Sequence, residues 1–79
     1  MPLPAKPRWP ASKARRVYAA LLRIGWLPKR TTRRKGGSHR VLEREGRPDF
    51  VFAFHDSEEI HPPMLARIGR ATGLKPEDL

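Results

Sequence analysis

A change of hydrophobic period near residue 25 constrains this chain more than any other feature. Before it, Val17, Leu21 and Ile24 recur at i, i+4 and i+7, with Ala14, Tyr18 and Ala20 beside them. That stripe belongs to an amphipathic helix. Ser12 stands in front as an N-cap, and Gly25 follows as a stop. The spacing predicts a helix from Lys13 to Ile24, with Lys13, Arg15, Arg16 and Arg23 on its solvent side. From Trp26 onward the pattern becomes short apolar segments punctuated by Gly and Pro, which is how an antiparallel meander reads. Three strands are expected, Leu27–Thr32, His39–Arg44 and Phe50–Phe54. Arg34-Lys35-Gly36-Gly37 makes a basic loop between the first two, and Glu45-Gly46-Arg47-Pro48 a turn between the last two. Connections this short pair neighbouring strands in order.

A second helix should open at Pro62-Pro63, where missing N–H groups cost nothing, and run through Leu65, Ile68 and Ala71 to a stop at Gly73. Leu74 then folds back on the core, and Pro76-Glu77-Asp78-Leu79 forms a terminal turn. The order is α-β-β-β-α, an α+β architecture with two helices on one face of a three-stranded antiparallel sheet. Four prolines among the first ten residues preclude a helix there, so residues 1–11 read as a Pro-rich basic arm and 12–79 as one domain.

At 79 residues the chain has room for one small core and no second domain. With no cysteine, disulfides, thiolate zinc sites and Cys nucleophiles are excluded together. No stretch approaches the roughly 18 apolar residues of a membrane span, and the N-terminus lacks a secretory h-region, so a cytoplasmic, membrane-free protein is expected. The net charge of +9 is unevenly placed. Residues 1–42 carry 12 Lys and Arg and no acid, whereas 43–79 carry the other 5 and all 8 acids. A basic face of this kind suits a phosphate polyanion.

The densest chemical signal is Lys29-Arg30-Thr31-Thr32-Arg33-Arg34-Lys35-Gly36-Gly37-Ser38-His39-Arg40. Its plainest reading is a solvated basic hairpin. A histidine at the start of a strand beside such a cluster suggests more. Cleaving RNA without a metal requires proton transfer at the 2′-hydroxyl and the leaving oxygen, with cations for the charge growing on phosphorus. A histidine titrating near neutrality does the first, and Arg and Lys do the second. Glycines let backbone approach a phosphate, and the Ser38 hydroxyl or N–H can bind a nonbridging oxygen. No cofactor is needed.

Here the sequence resembles the HicA-type toxins, the small ribonucleases of HicA–HicB toxin–antitoxin pairs. The likeness runs from about Ala14 to Leu79. It is carried by Leu22-Arg23-Ile24-Gly25-Trp26, by Arg30 with Gly37-Ser38-His39-Arg40, and by Pro48-Asp49-Phe50-Val51-Phe52-Ala53-Phe54-His55-Asp56. Glu58-Glu59-Ile60, Met64-Leu65-Ala66-Arg67-Ile68 and Thr72-Gly73-Leu74-Lys75-Pro76-Glu77-Asp78-Leu79 complete it. The resemblance implies a fold like that of double-stranded-RNA-binding domains, and cleavage of mRNA with neither ribosome nor metal. It also implies a HicB-like antitoxin covering the active site. The family's essential histidine falls on His39, with Gly37 and Ser38 as its supporting residues. Arg30, Arg33, Arg34, Lys35 and Arg40 join Gly37 and Ser38 as the expected RNA contacts, and His55 is a secondary candidate for proton transfer or phosphate binding. The chain departs from the family at Ala53 and at Pro62-Pro63, where many members have Pro and Gly, and its basic loop is heavier.

His55, His61, Asp56, Glu58 and Glu59 lack any recognised ligand spacing, so no metal is expected. Glu58-Glu59 is more simply explained by the dipole of the helix that follows. Trp26 should be core, and Phe50, Phe52 and Phe54 core or an antitoxin-facing apolar patch. Trp9, in the arm, has no readable role. A non-catalytic double-stranded-RNA-binding module would carry lysines at the start of its last helix, and His61-Pro62-Pro63-Met64-Leu65 carries none.

Overall fold

A computed structural model describes residues 8–34 and 37–79, except the side chains of 32–34 and 37–38. Its elements run β1 (Ser12–Lys13), α1 (Ala14–Arg23), β2 (Leu27–Arg34), β3 (Gly37–Arg44), β4 (Arg47–Phe52), β5 (Glu59–Ile60), α2 (Pro62–Thr72) and a 3₁₀ turn (Pro76–Asp78). β2, β3 and β4 form an antiparallel sheet in chain order, as the short connections dictate. The two-residue pair β1–β5, invisible in the sequence pattern, matches Ser12 with Ile60 and Lys13 with Glu59.

That small pair corrects the expected start of α1. Ser12 does not cap the helix. It lies in β1, and its hydroxyl donates to the Pro10 carbonyl at 2.8 Å. The first helical N–H groups are instead met by distant carbonyls, Ala14 donating to Glu58 at 2.7 Å and Arg15 to Asp56 at 3.1 Å. The far end is as expected. Gly25 has φ of 110°, its N–H donates to Leu22 and that of Trp26 to Leu21, which is a full Schellman closure. α2 ends on Gly73 (φ 82°), whose N–H donates to Gly69.

Strand boundaries also shift. β2 and β3 extend to Arg34 and Gly37, so both residues belong to the ladder rather than to the expected loop. β4 begins at Arg47 and stops at Phe52, leaving only Glu45-Gly46 in the hairpin turn and Phe54 beyond the strand. Two irregularities accompany the prolines. One extra residue, Lys29, bulges from β2 after Pro28, and the β3–β4 register slips near Pro48. Both prolines sit on edge strands, where a missing donor is tolerated.

Val17, Leu21, Trp26, Leu42, Phe52, Ile60, Leu65 and Ile68 are fully or nearly fully buried and form one core. Leu42 and Phe52 therefore mark the sheet face that both helices cover. The buried Trp26 indole donates to the Thr72 carbonyl at 3.0 Å, fixing α2 against the start of β2. Phe50 and Phe54 pack at the margins of the core, with Phe52–Phe54 and Trp26–Phe50 meeting edge to face at 5.1 and 6.2 Å. Leu74 folds back into the core as expected. Trp9 packs against it too, its ring lying over Gly69, where a Cβ atom would come within 2.7 Å of the indole.

Candidate nucleic-acid interface

Successive strand residues face opposite sides of a sheet. Leu42 faces the helices, and Arg40 does the same, its guanidinium lying 4.5 Å from the centre of the Tyr18 ring of α1. His39 therefore belongs to the other face, which no helix covers, and it is exposed there. It pairs across the ladder with Thr32, while Val41, on the same face, pairs with Arg30 and Val51. Arg30 is exposed. The open face thus gathers exposed His39, Arg30 and Val51 around Val41, which their side of the sheet leaves only 8% exposed, with Leu27 and Lys29 at its far end.

Lys29 is held there by charge. Its ammonium donates to Asp49 at 2.9 Å and stands 4.0 Å from Glu43. The hydrogen bond to Asp49, then the charges of Asp49 and Glu43, hold its pKa above the ordinary lysine value. Lys29 is therefore engaged with two carboxylates, whereas Arg30 has no such partner among the described residues.

Arg40 has a different setting from Lys29 and Arg30. Besides stacking on Tyr18, it donates to the Asp56 carboxylate at 2.8 Å, with only 20% of its side chain exposed. Neither Tyr18 nor Asp56 stood out in the sequence, since Tyr18 merely flanks the apolar stripe of α1 and no spacing links residue 56 to residue 40. Of the remaining expected contacts, Lys35 lies outside the described residues. For Arg33, Arg34, Gly37 and Ser38 only the backbone is described, and it runs in paired strand.

The helix cations behave less freely than their solvent-side expectation implied. Lys13 donates to the Ser57 carbonyl, and Arg16 and Arg23 donate to the carbonyls of Leu79 and Asp78, both at 2.6 Å. Arg16 and Arg23 tie exposed chain to α1, and Lys13 ties the loop at Ser57 to β1.

His55 lies in the loop after β4, exposed, next to Asp56. His61 is the residue before α2, and its carbonyl accepts from the N–H groups of Met64 and Leu65. Among the described residues no three His, Asp or Glu side chains are grouped so as to hold a metal ion. Glu58 and Glu59 precede α2 and do not enter its first turn, which holds no acid. Glu59 is in β5, and the Glu58 carbonyl serves α1 instead. No helix among the described residues is long and apolar enough to cross a membrane.

Fold and site define a small α+β domain with the element order of a double-stranded-RNA-binding domain, presenting a histidine on an uncovered, cation-bearing sheet face. The family model described as HicA toxin of bacterial toxin–antitoxin matches residues 14–74, most of the chain, and the protein belongs to that family. It is the toxin of a toxin–antitoxin pair. No curated protein and no solved structure matches it.

Proposed function

We propose that this toxin is an endoribonuclease that cleaves mRNA, with His39 as the proton-transferring group. The observation that carries the reading is the place of His39, exposed on the one sheet face that the helices leave open, inside the basic β2–β3 hairpin. The 2′-hydroxyl attacks the adjacent phosphorus, the P–O5′ bond breaks, and His39 takes or gives a proton at one of these oxygens. Arg30, with Arg33, Arg34 and Lys35, offsets the charge that builds on the phosphate, while Gly37 and Ser38 let the backbone come close. His55 is the candidate for the second proton or for a phosphate oxygen. The reaction requires no cofactor from the solution.

A HicB-like antitoxin is the proposed partner. Leu27 and Val51 are 61% and 52% exposed, and strand alternation puts Val51 on the face of His39. Apolar groups beside cations suit a protein surface carrying acidic and apolar side chains. A purely RNA-binding module is the weaker reading, since the start of α2 lacks the cations such modules use.

The test is the chemistry of the cut ends. Purified protein acting on single-stranded mRNA in EDTA should leave a 2′,3′-cyclic phosphate, or its hydrolysis product, and a 5′-hydroxyl. A 5′-phosphate end, or cutting abolished by EDTA, would contradict this mechanism.

A further inference from the structure

The β3–β4 ladder ends at the pair Arg40–Phe52. Beyond that pair, His39 has a strand neighbour on one side only, Thr32 of β2. At the point where backbone pairing to β4 stops, side-chain contacts take over. Arg40 reaches the helix side of the sheet, stacks on Tyr18 at 4.5 Å and donates to Asp56 at 2.8 Å. Asp56 is itself anchored, because its carbonyl accepts from the N–H of Arg15 in the first turn of the helix that carries Tyr18. The contacts close a ring from β3 through Asp56 and α1 back to β3. Tyr18 is braced in turn by Phe52, ring centres 5.6 Å apart.

We propose that Tyr18, Arg40 and Asp56 form a clamp that positions His39 for cleavage, so that Arg40 acts as a positioning residue and not as a hand on the RNA. This rests on the reading of His39 as the proton-transfer group. Residues 39 and 40 share a peptide plane and face opposite sides of the sheet, so holding the Arg40 side chain from below fixes the backbone from which the imidazole projects above. A guanidinium suits this role where an ammonium does not, because one planar group offers its face to the ring and its edge to the carboxylate. The same salt bridge brings the segment carrying His55 beside the one carrying His39, since each histidine is the chain neighbour of a bonded residue. Misplacing a reacting group by about 1 Å costs on the order of 100-fold in rate.

The experiment measures kcat and KM on a short RNA, and affinity for its uncleavable 2′-deoxy analogue, for Asp56→Asn, Arg40→Lys, Tyr18→Leu and Tyr18→Phe, with melting temperatures alongside. The clamp requires kcat to fall about 10- to 100-fold in Asp56→Asn and Tyr18→Leu, with KM and analogue affinity within about 2-fold of the parent. Tyr18→Phe, which keeps the ring face, retains near-parental kcat, and Arg40→Lys falls with Asp56→Asn. If Tyr18→Leu is unfolded at the assay temperature, Asp56→Asn decides. A raised KM with unchanged kcat would overturn the clamp and make Arg40 an RNA contact, and unchanged kinetics in folded Asp56→Asn would also overturn it. Full cleavage by His39→Ala would remove the functional reading and the clamp together. An inactive His39→Ala beside an unaffected Asp56→Asn removes the clamp alone.

Discussion

At the level of single residues, this small chain concentrates its demands on a few positions that sequence alone does not single out. Trp26 was readable as core because it follows a helix stop. Its bond to the Thr72 carbonyl was not, since 46 positions separate the partners. Trp26→Phe leaves that buried carbonyl unpaired and should cost about 1–3 kcal/mol, measurable by urea unfolding. Gly69 is a sharper case. A Cβ there would meet the Trp9 ring at 2.7 Å and the Leu74 carbonyl at 2.8 Å. Gly69→Ala should destabilise by about 1–3 kcal/mol. Adding Trp9→Ala should recover only part of the loss, because the carbonyl contact remains. Full recovery in the double variant would mean that Trp9 alone sets the cost. Lys29 gives a pH prediction. A pKa raised in the folded state means a contribution present below about 10.4 that fades as pH rises through the higher folded value. The difference in melting temperature between Lys29→Met and the parent should therefore be small, flat from pH 6 to pH 9, and shrinking only in more alkaline buffer.

Among the elements, both long helices were legible from their 3.6-residue apolar period, and the three sheet strands from short segments set off by Gly and Pro, with Phe50, Phe52 and Phe54 alternating in the last. Their stops were legible too, since Gly25 and Gly73 occupy positive-φ positions. Gly25→Ala should cost about 1–2 kcal/mol by thermal unfolding, from backbone strain. What the sequence hid were the starts and the joints. Ser12 looks like a cap, yet the N–H groups of α1 are met from residues 56 and 58, and the β1–β5 pair is two residues long. Such contacts depend on where a loop some 40 residues away arrives, which no local pattern encodes. The candidate site divides in the same way. His39 was found from chemistry and motif, and its exposure follows from alternation along β3. The engagement of Arg40 by Tyr18 and Asp56 joins three elements and had no local signal.

For the whole molecule, the charge asymmetry resolves into a division of labour. Arg16 and Arg23 of α1 are spent on the carbonyls of Leu79 and Asp78, Lys13 on a loop carbonyl and Lys29 on carboxylates, so Arg30 is left, among the described side chains, as an exposed cation near His39 with no such partner. Arg30→Ala should weaken RNA binding and lower the slope of log K against log salt by about 0.7, as loss of one phosphate contact on a single strand requires. An unchanged slope would place the RNA elsewhere. If the exposed Leu27 and Val51 seat the antitoxin as proposed, antitoxin and RNA should compete for this face in a binding assay. The central claim is that His39 moves the proton in RNA cleavage. Its most direct measurement is the cutting rate of purified His39→Ala on mRNA, with circular dichroism and analogue affinity measured on the same sample. Loss of cutting with spectrum and affinity nearly intact is the outcome this account predicts, and cutting at the parental rate would contradict it.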